Sequence, residues 1–318
     1  MSALSRRDDR TNGRTLPAVR LGRIFSLGIV GAGRVGSVLG AAAEQAGHRV
    51  VAVSAVSAAS VARAARLLPG AAILPPDKVA ADADLLLLAA PDDELAGLVR
   101  GLADTGAIRP GQVVVHTSGA HGLDVLAPVV AVGAHPMAMH PAMTFTGHPH
   151  DIERLAEGIS FGVTAPAELR ALATRLVADL GGVVEWIAEI DRPLYHAALA
   201  HGANHLVTLV NEAMDRLRAA GVLHPERVLA PLLRASLENT LAHGDAALTG
   251  PVARGDAGTI AKHLAALEAT APDSVPVYLA LARRTADRAI ASGRLRPLDA
   301  EPLLEVLAHR RGKRRVRA

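Results

Sequence analysis

The six residues GAGRVG, 31–36, hold three glycines in the spacing G-x-G-x-x-G. The spacing alone is common. Here it follows one apolar run, opens an alanine-rich helical pattern and precedes a second apolar run, which is the context in which such glycines bind a dinucleotide. Gly31 allows a tight turn, Gly33 lets backbone approach a pyrophosphate, and Gly36 lets a helix pack close to a strand. Ala32, Arg34 and Val35 lie between them, where the N–H groups of a starting helix lack internal acceptors and attract an anion. The competing reading is a structural turn without a ligand. The second run ends AVSAVSAAS, 52–60, with Ser54 near the place where an acid would hold the ribose 2′-hydroxyl of NAD. A carboxylate would repel a 2′-phosphate and serines do not. Arg34 can reach toward that phosphate, with Arg63 as a second candidate, so the expected cofactor is NADP. Pro91, after the fourth apolar run, completes the expected cofactor set.

Other polar groups fall where strands should end. His116, Thr117, Ser118 and Gly119 follow the fifth run, and Ser118 with the Gly119 amide could hold a carboxylate or carbonyl oxygen; a strand-to-helix cap is the alternative. The segment TGPVARGD, 249–256, offers Arg254 for a bidentate grip on a substrate acid. Alternatively Asp256 caps the next helix and Arg254 pairs with it. The segment GAHPMAMHPAMTFTGHPHD, 133–151, holds His135, His140, His148 and His150. A metal needs ligands that converge. The pairs His135/His140, His148/His150 and His201/His205 are available, but no H-E-x-x-H pattern occurs, and no metal ligands are assigned. Methionine and proline neighbours suggest an apolar lip. Residues 135–147 are read as a loop crossing a cleft, with His135 and His140 toward substrate or nicotinamide, and His148 and His150 on a wet surface.

The elements that must carry these groups follow from the pattern of apolar runs. Continuous apolar stretches near 24–30, 49–54, 71–74, 83–90, 111–118, 129–136, 158–165 and 182–187 alternate with helical patterns. That is the signature of an α/β fold, a parallel sheet covered on both faces. From Asp191 the strand signal disappears. One helix of about 30 residues is expected to start there, with Asp191 as N-cap and Pro193 in the first turn, and to end at Gly221. Helical patterns near 225–243, 256–270 and 275–292, and one from 299, follow. The expected division is a flexible extension over 1–23, a dinucleotide-binding domain over 24–189, an all-α domain over 190–309 and a basic tail over 310–318. The net charge of +3 is carried by the ends, leaving the body acidic. No aromatic residue is interleaved in the tail for base stacking, so specific nucleic-acid binding is not expected. With no cysteine, no signal-peptide pattern and no apolar run approaching the ~20 residues of a membrane span, a cytoplasmic protein without a membrane partner is expected.

The stretches GIVGAGRVG, LLLLAAPDDEL, VVVHTSGAHG, GAHPMAMHP, YHAALAHGANH and ALTGPVARGDAGTIAKHL occur in that order. Together they resemble a bacterial family of Rossmann-like oxidoreductases with a helical C-terminal domain of unassigned function, similar to pyrroline-5-carboxylate and ketopantoate reductases. The resemblance implies a Rossmann-type parallel sheet and a reductase of a small carbonyl or imine acid. Ketopantoate-type and β-hydroxyacid reductases carry a lysine four residues before an asparagine on the first helix after the sheet. Asn204 matches the asparagine, but the residue four earlier is Ala200, and the lysines are Lys78, Lys262 and Lys313. His196, eight residues before Asn204, is about two helical turns away and roughly on its face; histidine can protonate an alkoxide or amine near neutral pH. The expected roles are proton donation by His196, substrate orientation by Asn204, and acid binding by Arg254 and Ser118. A non-catalytic dinucleotide-binding regulator and a metal-assisted dehydrogenase stand as alternatives. The long helix is apolar over much of its circumference, and a homodimer through the helical domain is expected.

Overall fold

The computed structural model describes residues 24–308; the flexible extension and the basic tail expected at the two ends lie outside the described residues. The first unit is built on an eight-stranded sheet. Its strands are β1 (Ser26–Val30), β2 (Arg49–Ser54), β3 (Ala72–Ile73), β4 (Leu85–Leu88), β5 (Val113–His116), β6 (His135–Pro141), β7 (Ser160–Thr164) and β8 (Val183–Trp186). They lie in the order β3-β2-β1-β4-β5-β6-β7-β8. All neighbouring pairs are parallel except β6 with β7. The order reverses between β1 and β4, and a parallel sheet opens a crevice at the carboxyl ends of such a pair.

The connecting helices are α1 (Arg34–Gln45), α2 (Ala58–Leu67), α3 (Pro76–Ala81), α4 (Asp92–Asp104), α5 (Ala127–Ala131), α6 (His150–Ala156) and α7 (Arg170–Asp179). Alternation along the strands divides the core. Leu27, Ile29, Leu85, Leu87, Val113 and Val115 pack with Val38 and Leu39 of α1 and Leu172 and Leu176 of α7. On the other face Val30, Leu86, Leu88 and Val114 meet Val79, Leu95, Val99 and Val129.

Two expectations need correction here. The apolar stretch 129–136 is not the sixth strand: Pro128 sits in the first turn of α5, and a turn at Gly133 (φ +82°) delays the strand. The strand is HPMAMHP itself, so the first half of the supposed cleft-crossing loop is the interior of the sheet. His135 therefore sits at the amino end of β6, 2% exposed, about 17 Å along the strand from His140, and cannot face a ligand at the carboxyl edge.

The helix after the sheet also departs from expectation. It runs α-helically over Arg192–Leu199 (α8), opens into a π turn over Ala200–Asn204, and resumes over His205–Ala219 (α9). The α-helical period that placed His196 and Asn204 on one face is broken by this turn. The described residues form two compact units that meet in sequence between Gly202 and Ala203, and α8, tied to the sheet by Arg192, belongs with the first. The second unit contains α9, α10 (Pro225–His243), α11 (Gly250–Ala253), α12 (Ala257–Thr270), α13 (Val275–Ala291) and α14 (Pro297–Ala308). Ile260, Leu264, Leu279, Ala286 and Leu303 form its own core. No helix among the described residues is long and apolar enough to cross a membrane.

Candidate active site

The glycine loop leaves β1 and enters α1 beside the end of β4. Gly31 has φ +100°, and a Cβ there would lie 2.5 Å from the carbonyl oxygen of Ala89; a Cβ on Gly36 would lie 2.3 Å from that of Gly31. Both glycines are demanded by the protein itself. Gly33 is different: the nearest atom to a Cβ there is 4.0 Å away, and its φ of −72° suits any residue. Ser54 is buried, and its hydroxyl accepts from the Gly31 N–H at 3.1 Å while its carbonyl accepts from the Ala32 N–H at 2.8 Å. Ser54 thus shapes the loop from within. The N–H groups left for a phosphate are those of the first turn of α1, which helix geometry leaves without acceptors.

These residues border a cleft of about 740 Å³, with Gly33, Ser54, Ser57 and Ser60 on one side and Ala90 and Pro91 on the other. Its acids, Asp93 and Glu94, belong to the first turn of α4, where the helix dipole favours them. The end of β2 carries none. Ser57 instead caps α2 by accepting from the Ser60 N–H. Three arginines gather near the loop. Arg63 donates to the Ala32 carbonyl at 3.2 Å and Arg66 to the Gly147 carbonyl at 2.8 Å. Arg34 is exposed, and its Cγ would lie 3.2 Å from a Cβ on Gly147. Asp151 fixes this outer loop by accepting from the N–H groups of Thr146 and Gly147. Burial works to raise its pKa, but those hydrogen bonds prevail and lower it.

A second cluster stands at the carboxyl ends of β5 and β6, beside Gly162 of the antiparallel β7. His140 Nδ1 is 2.9 Å from the Tyr195 hydroxyl, and the His140 and His196 rings are 6.0 Å apart, edge to face. A Cβ on Gly119 would touch both imidazoles, at 2.7 Å from His196 and 3.1 Å from His140. Gly162, opposite His140 in the β6–β7 register, must lack a side chain because the Tyr195 hydroxyl would lie 2.5 Å from its Cβ. Burial first, then the neighbouring His196 and Arg192, lowers the His140 pKa to about 4, so its ring is neutral at pH 7. Burial raises the Tyr195 pKa, so its phenol keeps its proton.

This cluster is held from beneath by Arg192, which is 0% exposed. Its guanidinium donates to Thr164 Oγ1 at 2.8 Å and to the carbonyls of Gly162, Ala138 and Ser118 at 3.0, 3.3 and 3.4 Å. His116, also 0% exposed, sits within 2.7 Å of the Gly122 carbonyl through Nε2 and accepts the Ser118 N–H through Nδ1. Its pKa is lowered to about 4, chiefly by burial. The Glu189 carboxylate caps the same loop, accepting from the N–H groups of Leu123 and Asp124.

The structure therefore brings His196 next to His140 and close to the Ser118–Gly119 turn. The Ser118 hydroxyl is itself occupied, accepting from the His121 N–H at 3.1 Å. Asn204 and Arg254 lie in the second unit, both exposed. Asp256 caps α12 by accepting from the Thr259 N–H, the structural alternative weighed for that segment. His148 and His150 are exposed and stack on each other at 5.2 Å, as expected for a wet surface. Among the described residues no three His, Asp or Glu side chains converge as metal ligands do. Sequence reasoning missed Tyr195 and Arg192. The available signal was that one of only two tyrosines in the chain adjoins His196.

A switch-point cleft over a glycine loop, with helices on both faces of the sheet, defines a Rossmann-like fold, and residues 9–141 match the sequence family described as Rossmann-like domain. Residues 159–285 match a second family, the domain of unknown function DUF2520. The chain is thus a Rossmann-like domain followed by a DUF2520 domain, the make-up that the resemblance implied. No curated protein matches it. Among solved structures, one from Bacteroides fragilis, provisionally named an NADP oxidoreductase, is 23% identical with a TM-score of 0.70, covering 83% of this chain and 98% of its own. An imine reductase from Myxococcus stipitatus in complex with NADP+ is 17% identical with a TM-score of 0.57, over 84% of this chain and 94% of that one. A Plasmodium falciparum pyrroline carboxylate reductase with NADP bound is 13% identical with a TM-score of 0.54, over 83% and 98%. At these identities the likeness is one of fold.

Proposed function

We propose that this protein is an NADP-dependent oxidoreductase that reduces a small carbonyl or imine acid. The observation that carries the reading is Gly33, a glycine that nothing inside the protein requires, at the mouth of a cleft of dinucleotide size. The acid-free end of β2 and the arginines near Gly147 favour a cofactor with a 2′-phosphate. Relatives of the same fold described with NADP bound agree with that choice. When bound, the dinucleotide's nicotinamide ring would supply hydride. The chain's own part is to hold the substrate and deliver a proton. His196 and the neutral phenol of Tyr195, paired with His140, are the donors within one cluster. The roles proposed for Asn204 and Arg254 rest on the sequence pattern alone. A cytoplasmic setting and a homodimer belong to the same reading.

The test is NADPH oxidation against a panel of 2-keto acids, ketopantoate included, and cyclic imine acids. Turnover of at least one member, with NADPH preferred to NADH, is the expected result. Tight NADPH binding with no oxidation across the panel would leave a dinucleotide-binding regulator instead.

A further inference from the structure

The helical unit has a cleft of its own, about 450 Å³, between α9 and α13. That is within the size range of small-molecule sites. Its walls are apolar: Leu209, Val277 and Leu281 line it and stay 41%, 42% and 42% exposed. Two opposite charges also line it, Glu212 and Arg216, one turn apart on α9. Glutamate four residues before a basic residue is the favourable order for a helical ion pair. Among the described residues no such pair forms. Arg216 turns instead to Ser274, donating from Nη1 to Oγ at 3.3 Å, and its buried Nε has no hydrogen-bond partner there. A buried donor without an acceptor costs about 1–3 kcal/mol, so an acceptor arriving from outside gains what the protein forgoes. The Tyr278 hydroxyl is already engaged by His263 Nδ1 at 2.8 Å and offers no competing anchor.

An unpaired acid and base on an apolar floor complement a body that carries both signs and an apolar side. We propose that this cleft binds a small zwitterion with an apolar side chain, the chemistry of an aliphatic or aromatic α-amino acid. Its carboxylate sits on Arg216 Nε and the Ser274 hydroxyl, its ammonium on Glu212, and its side chain against Leu209, Val277 and Leu281. The assignment uses nothing from the glycine loop and stands apart from the reductase reading.

Titration calorimetry of the full chain with L-leucine and L-phenylalanine tests it. At least one binds saturably, one per chain. Leucinamide, which lacks the carboxylate, and 4-methylpentanoate, which lacks the ammonium, bind at least about tenfold more weakly than leucine, the weight of a charged hydrogen bond. Arg216→Gln and Glu212→Gln each weaken amino-acid binding by about tenfold or more and leave NADPH affinity unchanged. Ser274→Ala, a gentler change, moves binding in the same direction. No saturable binding of either amino acid overturns the proposal, as does binding indifferent to Glu212→Gln and Ser274→Ala. A dimer that Leu281→Asp dissociates, in a chain that binds neither amino acid, would assign the cleft to a second copy.

Discussion

Replacing the loop glycines one at a time by alanine separates what the fold needs from what a ligand needs. At Gly31 the new methyl meets the Ala89 carbonyl oxygen at 2.5 Å, and the residue must hold φ +100°. Overpacking costs about 1–3 kcal/mol and the strained backbone about as much again, so Gly31→Ala loses about 2–6 kcal/mol. Gly36→Ala, with its methyl 2.3 Å from the Gly31 carbonyl oxygen, loses about 1–3 kcal/mol. Gly33→Ala has no contact to relieve. Alanine is a poorer N-cap by about 0.5–1 kcal/mol, but it restrains the unfolded chain by a similar amount, and the net change is about zero. Urea unfolding followed by the fluorescence of Trp186, the chain's single tryptophan and a residue of β8, reads stability in the sheet unit. NADPH titration reads the ligand. Gly33→Ala should keep its unfolding midpoint and lose at least about tenfold in affinity, because its methyl stands where backbone must approach phosphate. A Gly33→Ala protein that binds NADPH normally, or that is as destabilised as Gly31→Ala, would refute the assignment of the loop.

Arg34→Ala should weaken NADPH by about tenfold, the weight of a charged hydrogen bond, and NADH much less; equal losses would remove the 2′-phosphate from the account. His196→Ala should lower turnover about 10²–10⁴-fold with NADPH affinity unchanged, whereas full turnover in this variant combined with a loss in Tyr195→Phe would move the proton to the phenol. His116 and His140 have folded pKa values of about 4 against 6.5 for an ordinary histidine. The unfolded chain takes up these protons first, so the stability is complete above pH 6.5 and is lost as the pH falls toward 4, by about 3 kcal/mol per histidine at most. Urea midpoints that do not change between pH 7 and 4.5 would contradict the buried neutral rings. Leu232 and Leu241 are 60% and 80% exposed on α10; light scattering should give a dimer at micromolar concentration, and a monomer would count against the helical unit as its interface.

The β1–α1–β2 segment was legible because strand period, glycine spacing and helix period change within one short stretch. The sixth strand was not. Its core face is Met137 and Met139, but prolines at both ends of HPMAMHP hid the alternation, while the apolar Val129 and Val130 upstream belong to α5. The π turn was equally hidden, since alanine, glycine and asparagine at 200–204 read as ordinary helix. In the site, His196 could be singled out by type, but His140 reaches Tyr195 across 55 residues, a pairing that no local spacing encodes. Arg192 defeats sequence reasoning differently. A buried arginine leads one to look for a carboxylate, and this one is satisfied by three carbonyls and a hydroxyl.

The clamp made by Glu189 and Arg192 also sets an order of assembly. The cofactor cleft draws its lining from Val30 to Leu98, so it can close as soon as that much chain has been synthesised. The turn after β5 has no such independence. Its caps arrive from Glu189, 65 and 66 residues later, and from Arg192, 74 residues later. Contacts across such separations form late and slowly. A nascent or locally opened chain would therefore have the glycine-loop cleft before it had the His140–Tyr195 cluster, and that wall would be the last part of the sheet unit gained and the first surrendered.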